Sequence, residues 1–182
     1  MTVACGVNGM KKCVFFDRDG IVNRSPGPGY VERWADFVLL PGFTDVLRVV
    51  KEKGYEAVVV TNQRGVARGI IKMDTVDEMH RNLRALLKRE HQLDLLDILC
   101  CPHGLGECEC RKPKPGMLLE AARRHRIDLK ASWMIGDHDT DVATGQAAGC
   151  RTILVGPGDG KAQPDYRARD LAELKSLVEK VM

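Results

Sequence analysis

Cys13-Val14-Phe15-Phe16-Asp17-Arg18-Asp19-Gly20 is the stretch from which the rest of the chain can be read. A short apolar run stops abruptly at acidic residues, the pattern of a buried strand that delivers polar groups at its end. Gly20 lets the backbone turn sharply there. The same grammar recurs. Tyr55 to Val60 is apolar and ends at Thr61-Asn62-Gln63, and Leu96 to Cys100 is a third run. Ser132 to Ile135 ends at Gly136-Asp137-His138-Asp139-Thr140-Asp141, and Arg151 to Val155 is the fifth. Helical spacing fills the gaps. Phe43, Val46, Leu47 and Val50 follow Pro41-Gly42 and stop before Gly54; Val76, Met79, Leu83, Leu86 and Leu87 mark one helix from Asp74 to about Gln92. Further helices are predicted over 116–125, 139–148 and 171–181. Strands alternating with helices specify an α/β fold, a doubly wound parallel sheet covered on both faces.

At 182 residues the chain suits one domain, predicted over 11–182, with 1–10 as a loose leader. Hydrophobic residues at 44% and charged residues at 29% are globular proportions and argue against disorder. The formal charge of +3 and aromatic content of 5% give little footing for nucleic acid. No apolar run approaches the length of a membrane helix, and the first residues lack a signal-peptide pattern. A cytoplasmic protein is expected, with no nucleic-acid or membrane partner, and a monomer, since no heptad or obvious exposed apolar face calls for a partner.

In open parallel sheets ligands gather at the carboxyl ends of the strands. Asp17 and Asp137 would meet there, and their repulsion is relieved by a hard divalent cation such as Mg²⁺, which takes carboxylates, waters and phosphate oxygens. Thr61 can donate a hydroxyl hydrogen bond to a phosphate, and Lys112 can neutralise its charge. Asp17 can attack phosphorus, and Asp19 can protonate the leaving oxygen and later activate water. Lys114 competes with Lys112 for the cationic role.

The chain has seven cysteines, an odd number that makes a poor disulfide framework. Cys101, His103, Cys108 and Cys110 lie within ten residues and suit tetrahedral Zn²⁺ with no position left for water, hence a structural site. Cys100 is expected to face the core instead. A loop of free thiols is the alternative.

Taken together, FFDRDGIVN, VVVTNQ, CRKPKPG and MIGDHDTD resemble the four ordered motifs of the haloacid dehalogenase (HAD) phosphatase superfamily, from Lys11 nearly to the end of the chain. The resemblance implies a Rossmann-like HAD sheet with Asp17 as nucleophile and Asp19 as general acid/base. Thr61 and Lys112 would stabilise the transferring phosphoryl group. Asp17, the Asp19 backbone carbonyl and Asp137 would hold Mg²⁺. Ile21 departs from the usual Thr after DxDG. The CPH…CxCRKP loop and TNQ-x-G-V-A-R-G further resemble the group of heptose 1,7-bisphosphate 7-phosphatases and histidinol-phosphate phosphatases, although the loop between C-x-H and C-x-C is shorter here than is usual in the heptose enzymes.

Neither interval between motifs has room for a cap domain, so an open site rimmed by short loops is expected. Gly27, Pro28, Gly29, Tyr30, Asn62, Gln63, Arg64, Arg111 and His138 are the candidate substrate-binding residues. Arg64 and Arg111 remain as cations beyond Lys112, which favours a small sugar bisphosphate over histidinol phosphate. The resemblance also leaves room for a polynucleotide-end phosphatase or for a catalytically inactive, zinc-stabilised binding module.

Overall fold

The computed structural model describes residues 9–182; most of the segment expected to be a leader, and Cys5 with it, lies outside the described residues. The element order is β1 (Cys13–Phe16), α1 (Pro41–Glu52), β2 (Glu56–Asn62), α2 (Arg64–Ala67), α3 (Met73–Leu86), β3 (Asp97–Cys101), α4 (Gly116–His125), β4 (Trp133–Gly136), α5 (Asp139–Ala148), β5 (Arg151–Val155), β6 (Tyr166–Ala168) and α6 (Leu171–Val181). Among the described residues the six strands make one sheet in the order β3-β2-β1-β4-β5-β6, parallel throughout. The chain winds outward from β1 to β3 on one side, then returns to lay β4 against the other side of β1. That reversal opens a crevice at the carboxyl ends of β1 and β4.

Alternation along β1 divides the core. Val14 and Phe16 join one apolar layer with Phe43, Leu47, Met79, Leu83 and Leu174, carried by α1, α3 and α6. Cys13 and Phe15 join the other with Met117, Leu118 and Ala121 of α4. Phe16 and Phe43 meet edge to face with ring centroids 5.3 Å apart. Full burial of a side chain of this size contributes roughly 1.5–3 kcal/mol. With both faces covered, the strands need no polar alternation, which is why they read as unbroken apolar runs.

Three details differ from the expectations. The helix predicted to reach Gln92 is α-helical only to Leu86; a π turn over Leu87–His91 follows, and Gln92 adopts φ 57°. Leu87 in this turn and Leu93 and Leu95 beyond it are all buried. β6 and the single-turn α2 were not predicted at all. β6 shows no apolar run because only Ala168 of its three residues is buried. Among the described residues no cap domain is present, and no helix is long and apolar enough to cross a membrane.

Candidate active site

Asp17 is the first residue past β1, and its backbone N–H donates to the Ile135 carbonyl of β4, 2.9 Å away. It therefore stands in the crevice between the two strands. Its Oδ1 accepts from the Arg18 backbone N–H at 2.8 Å and from Lys112 Nζ at 2.6 Å. Lys112 also lies 2.6 Å from Asp141 Oδ1, an ion pair whose alignment is not that of a hydrogen bond. Asp17, Lys112 and Asp141 are all buried. One buried ammonium between two carboxylates is held firmly in its charged form. Burial pushes the Asp17 carboxyl up to about 6 against the pull of Lys112. Asp137 is pushed up to about 6 as well, by burial and then by the Asp17 charge. Lys114 instead reaches the Cys108 carbonyl and Glu109 near the surface, so Lys112 is the lysine brought to Asp17.

Two glycines permit this crowding. Gly20 has φ +106°, and a Cβ there would collide with the Asp137 carboxylate; a Cβ on Gly136 would collide with that of Asp141.

Asp19 is the most heavily bonded carboxylate of the site. It accepts from Asn23 Nδ2 at 2.9 Å, Gln63 Nε2 at 3.0 Å and the Arg18 guanidinium. Gln63 Nε2 also donates to Thr61 Oγ1 at 2.8 Å, linking the ends of β1 and β2. Asn62 spends both ends of its amide on Lys112: Nδ2 donates to the Lys112 carbonyl and Oδ1 accepts its N–H, each at 3.1 Å. The structure thus gives Asn62 the task of fixing the lysine's backbone rather than only lining the site.

These groups surround an open cleft of about 160 Å³ whose wall also includes Gly27, Gly29, Tyr30, His138 and Thr140. Pro28, Arg64 and Arg111 are not among the lining residues. Arg64 is exposed at the start of α2, and Arg111 donates to the His103 carbonyl within its own loop. Both lie outside the wall of the cleft itself. Arg68, which donates to the Tyr30 hydroxyl at 3.2 Å, is the cation tied to the cleft wall. Sequence reasoning missed it, and it missed Asp141, Asn23 and the buried Arg18.

Asp17, Asp137 and Asp141 can each bring a carboxylate oxygen within 4.8 Å of the others. Asp141 is committed to Lys112, whereas Asp137 Oδ1 is buried without a hydrogen-bond partner. An orphaned anionic oxygen beside Asp17 fits a hard divalent cation such as Mg²⁺. The raised carboxyls have a consequence for the metal-free protein. Folded Asp17 and Asp137 bind protons more tightly than their unfolded counterparts, so stability falls as pH rises from about 4 through about 6. Millimolar Mg²⁺ is therefore expected to raise the melting temperature more at about pH 7.5 than at about pH 5, because it relieves a repulsion that protonation has already removed at the lower pH. Equal shifts at both pH values would contradict this.

The second cluster lies at the end of β3. Cys101 Sγ is 3.5 Å from Cys108 Sγ and 3.7 Å from His103 Nδ1; Cys110 Sγ is 3.3 Å from each of Cys108 Sγ and His103 Nδ1. Tetrahedral zinc with Zn–S near 2.3 Å places sulfurs about 3.8 Å apart, so the four donors fit Zn²⁺ with slight contraction. Cys100 points to the opposite face of β3 and packs on the first core layer. Protein purified without chelators is expected to carry about one zinc per chain, and Cys110→Ser to lose it together with thermal stability. Elemental analysis finding no zinc would remove the four-ligand site.

A family model described as HAD-hydrolase-like matches residues 109–174. The D-glycero-beta-D-manno-heptose-1,7-bisphosphate 7-phosphatase of Pasteurella multocida is 39% identical over 182 residues, covering 93% of this chain and 97% of its own. The D-glycero-alpha-D-manno-heptose-1,7-bisphosphate 7-phosphatase of Photorhabdus laumondii is 34% identical, covering 92% and 97%. The crystal structure of D,D-heptose 1,7-bisphosphate phosphatase from B. bronchiseptica, complexed with magnesium and phosphate, superposes with a TM-score of 0.83 at 29% identity, covering 94% of this chain and 99% of that one. With matches of this extent added to Asp17, Lys112 and Asp137 converging at one switch point, the chain belongs to the HAD-type family of phosphoric monoester hydrolases that includes the heptose-1,7-bisphosphate 7-phosphatases.

Proposed function

We propose that the protein removes the 7-phosphate of D-glycero-D-manno-heptose 1,7-bisphosphate through an aspartyl-phosphate on Asp17. The observation that carries the chemistry is the buried Asp17–Lys112–Asp141 ion-pair chain beside the uncommitted Asp137 Oδ1. It supplies a nucleophile, a cation and a cation site within one small cleft. Asp17 is the carboxylate that begins the crevice. Its oxygen attacks phosphorus, and the bond between phosphorus and the sugar oxygen breaks. Asp19 gives its proton to that leaving oxygen, then takes one from the water that hydrolyses the acyl phosphate, releasing phosphate and restoring Asp17. Lys112 Nζ balances the charge on the phosphoryl oxygens, with Thr61 at the neighbouring strand end. Mg²⁺, held by Asp17, Asp137 and the Asp19 carbonyl, would neutralise phosphate charge when bound.

The substrate reading rests on the relatives and on the cleft. The cleft is open to solvent, with the strand-end carboxylates and Lys112 along its wall and Tyr30 beside them. A terminal phosphate on a primary carbon can enter such a cleft while the ring stays at the mouth, against Tyr30 and Arg68. Histidinol phosphate would bring an ammonium toward that arginine, which costs affinity. The heptose bisphosphate is therefore expected to show kcat/KM at least about tenfold above histidinol phosphate, a difference of ~1.4 kcal/mol. Preference for histidinol phosphate in the same assay would transfer the assignment to that reaction.

A further inference from the structure

Arg18 lies between two catalytic carboxylates in sequence, yet its side chain is fully buried and points away from the cleft into the protein. Its Nε is 3.2 Å from Asp19 Oδ1, and Nη2 is 3.0 Å from each of Asp19 Oδ1 and Oδ2. The remaining nitrogen, Nη1, faces His80 Nε2 at 3.4 Å. His80 sits on α3, is buried itself, and is not among the residues lining the cleft. A guanidinium has only donors, so for this contact to be a hydrogen bond His80 Nε2 must be the bare, accepting nitrogen. Burial, and then the Arg18 charge, push His80 down to about 3, which keeps the ring neutral and able to accept.

We propose that His80 is a positioning residue for phosphoryl transfer: it anchors Arg18 from behind, and Arg18 fixes the orientation of Asp19. The inference rests on Asp19 acting as the acid/base. A buried donor without its acceptor costs free energy, so loss of the Nε2 acceptor turns Arg18 toward other partners and loosens its grip on both Asp19 oxygens. Asn23 donates to Oδ1 and Gln63 to Oδ2, whereas Arg18 is the charged group that bonds both oxygens. The functional mark of a displaced acid is selective: a sugar alkoxide needs a proton to leave, whereas a nitrophenolate does not.

Glutamine places a side-chain amide where Nε2 stands, while asparagine places it nearer Nδ1. His80→Gln and His80→Asn are thus matched in polarity and separate the acceptor from general packing. Each is assayed, with wild type and Asp19→Asn, on p-nitrophenyl phosphate and on the primary sugar phosphate turned over best by the wild type, and melting temperatures are recorded. His80→Asn is expected to lower kcat on the sugar phosphate by about tenfold or more, with KM and nitrophenyl phosphate turnover within about threefold, and His80→Gln to restore most of the loss. Equal losses on both substrates, or no loss in His80→Asn, would overturn the positioning role. If Asp19→Asn itself shows no leaving-group selectivity, the acid/base reading of Asp19 fails, and the role of His80 with it. If only Asp19→Asn shows it, the inference about His80 alone is wrong.

Discussion

Asp17→Asn is expected to lower kcat by about a thousandfold or more, a rise in barrier of ~4 kcal/mol. The substitution keeps the shape of the side chain and replaces a nucleophilic anionic oxygen with an amide. Lys112 loses one of its two carboxylate partners but keeps Asp141, so the ammonium remains paired. The fold should tolerate the change. Burial of the Asp17 charge is unfavourable enough to push its carboxyl up to about 6, and a neutral isostere removes that charge. A melting temperature close to wild type with activity nearly abolished is the expected pairing. Turnover within about tenfold of wild type, a difference of only ~1.4 kcal/mol, would show that another group attacks phosphorus.

Asp141→Asn is expected to affect stability and turnover together. Its carboxylate is 1% exposed and, with Asp17, is one of two that pair with Lys112 Nζ. Removing one partner of a buried ion pair typically costs about 3–5 kcal/mol, here reduced because Asp17 remains as a second partner. Lys112 would then be drawn wholly onto Asp17, pairing with the nucleophile and moving away from the phosphoryl position. A fall in kcat of about a hundredfold is expected, with a lowered midpoint in denaturant. Wild-type stability and turnover in this variant would mean that Lys112 is held by other means.

The sequence exposed the parts of this site that follow from strand endings. Asp17, Thr61 and Asp137 each stand where a buried apolar run meets polar residues, and a parallel sheet aligns such endings on one edge. Asp141 was visible as a residue but not as a partner of Lys112. Its contact depends on its place in the first turn of α5 and on the missing side chain of Gly136. His80 did leave a signal: it falls on the same helical stripe as Val76, Met79 and Leu83, where a polar residue in an apolar row calls for a buried partner. The placing of Arg64 and Arg111 outside the cleft wall was not legible, because charge and nearness in sequence say nothing about which way a loop side chain turns. The edge strand β6 was illegible because its pairing with β5 is a backbone matter, with two of its three side chains exposed.

The most direct test of the proposed activity is the regiochemistry of a single turnover experiment on D-glycero-D-manno-heptose 1,7-bisphosphate, followed by phosphorus NMR with Mg²⁺ present. The proposed reaction releases the 7-phosphate as inorganic phosphate and leaves the anomeric 1-phosphate resonance intact. Loss of the 1-phosphate first, or no release from this substrate by protein that hydrolyses p-nitrophenyl phosphate, would contradict it.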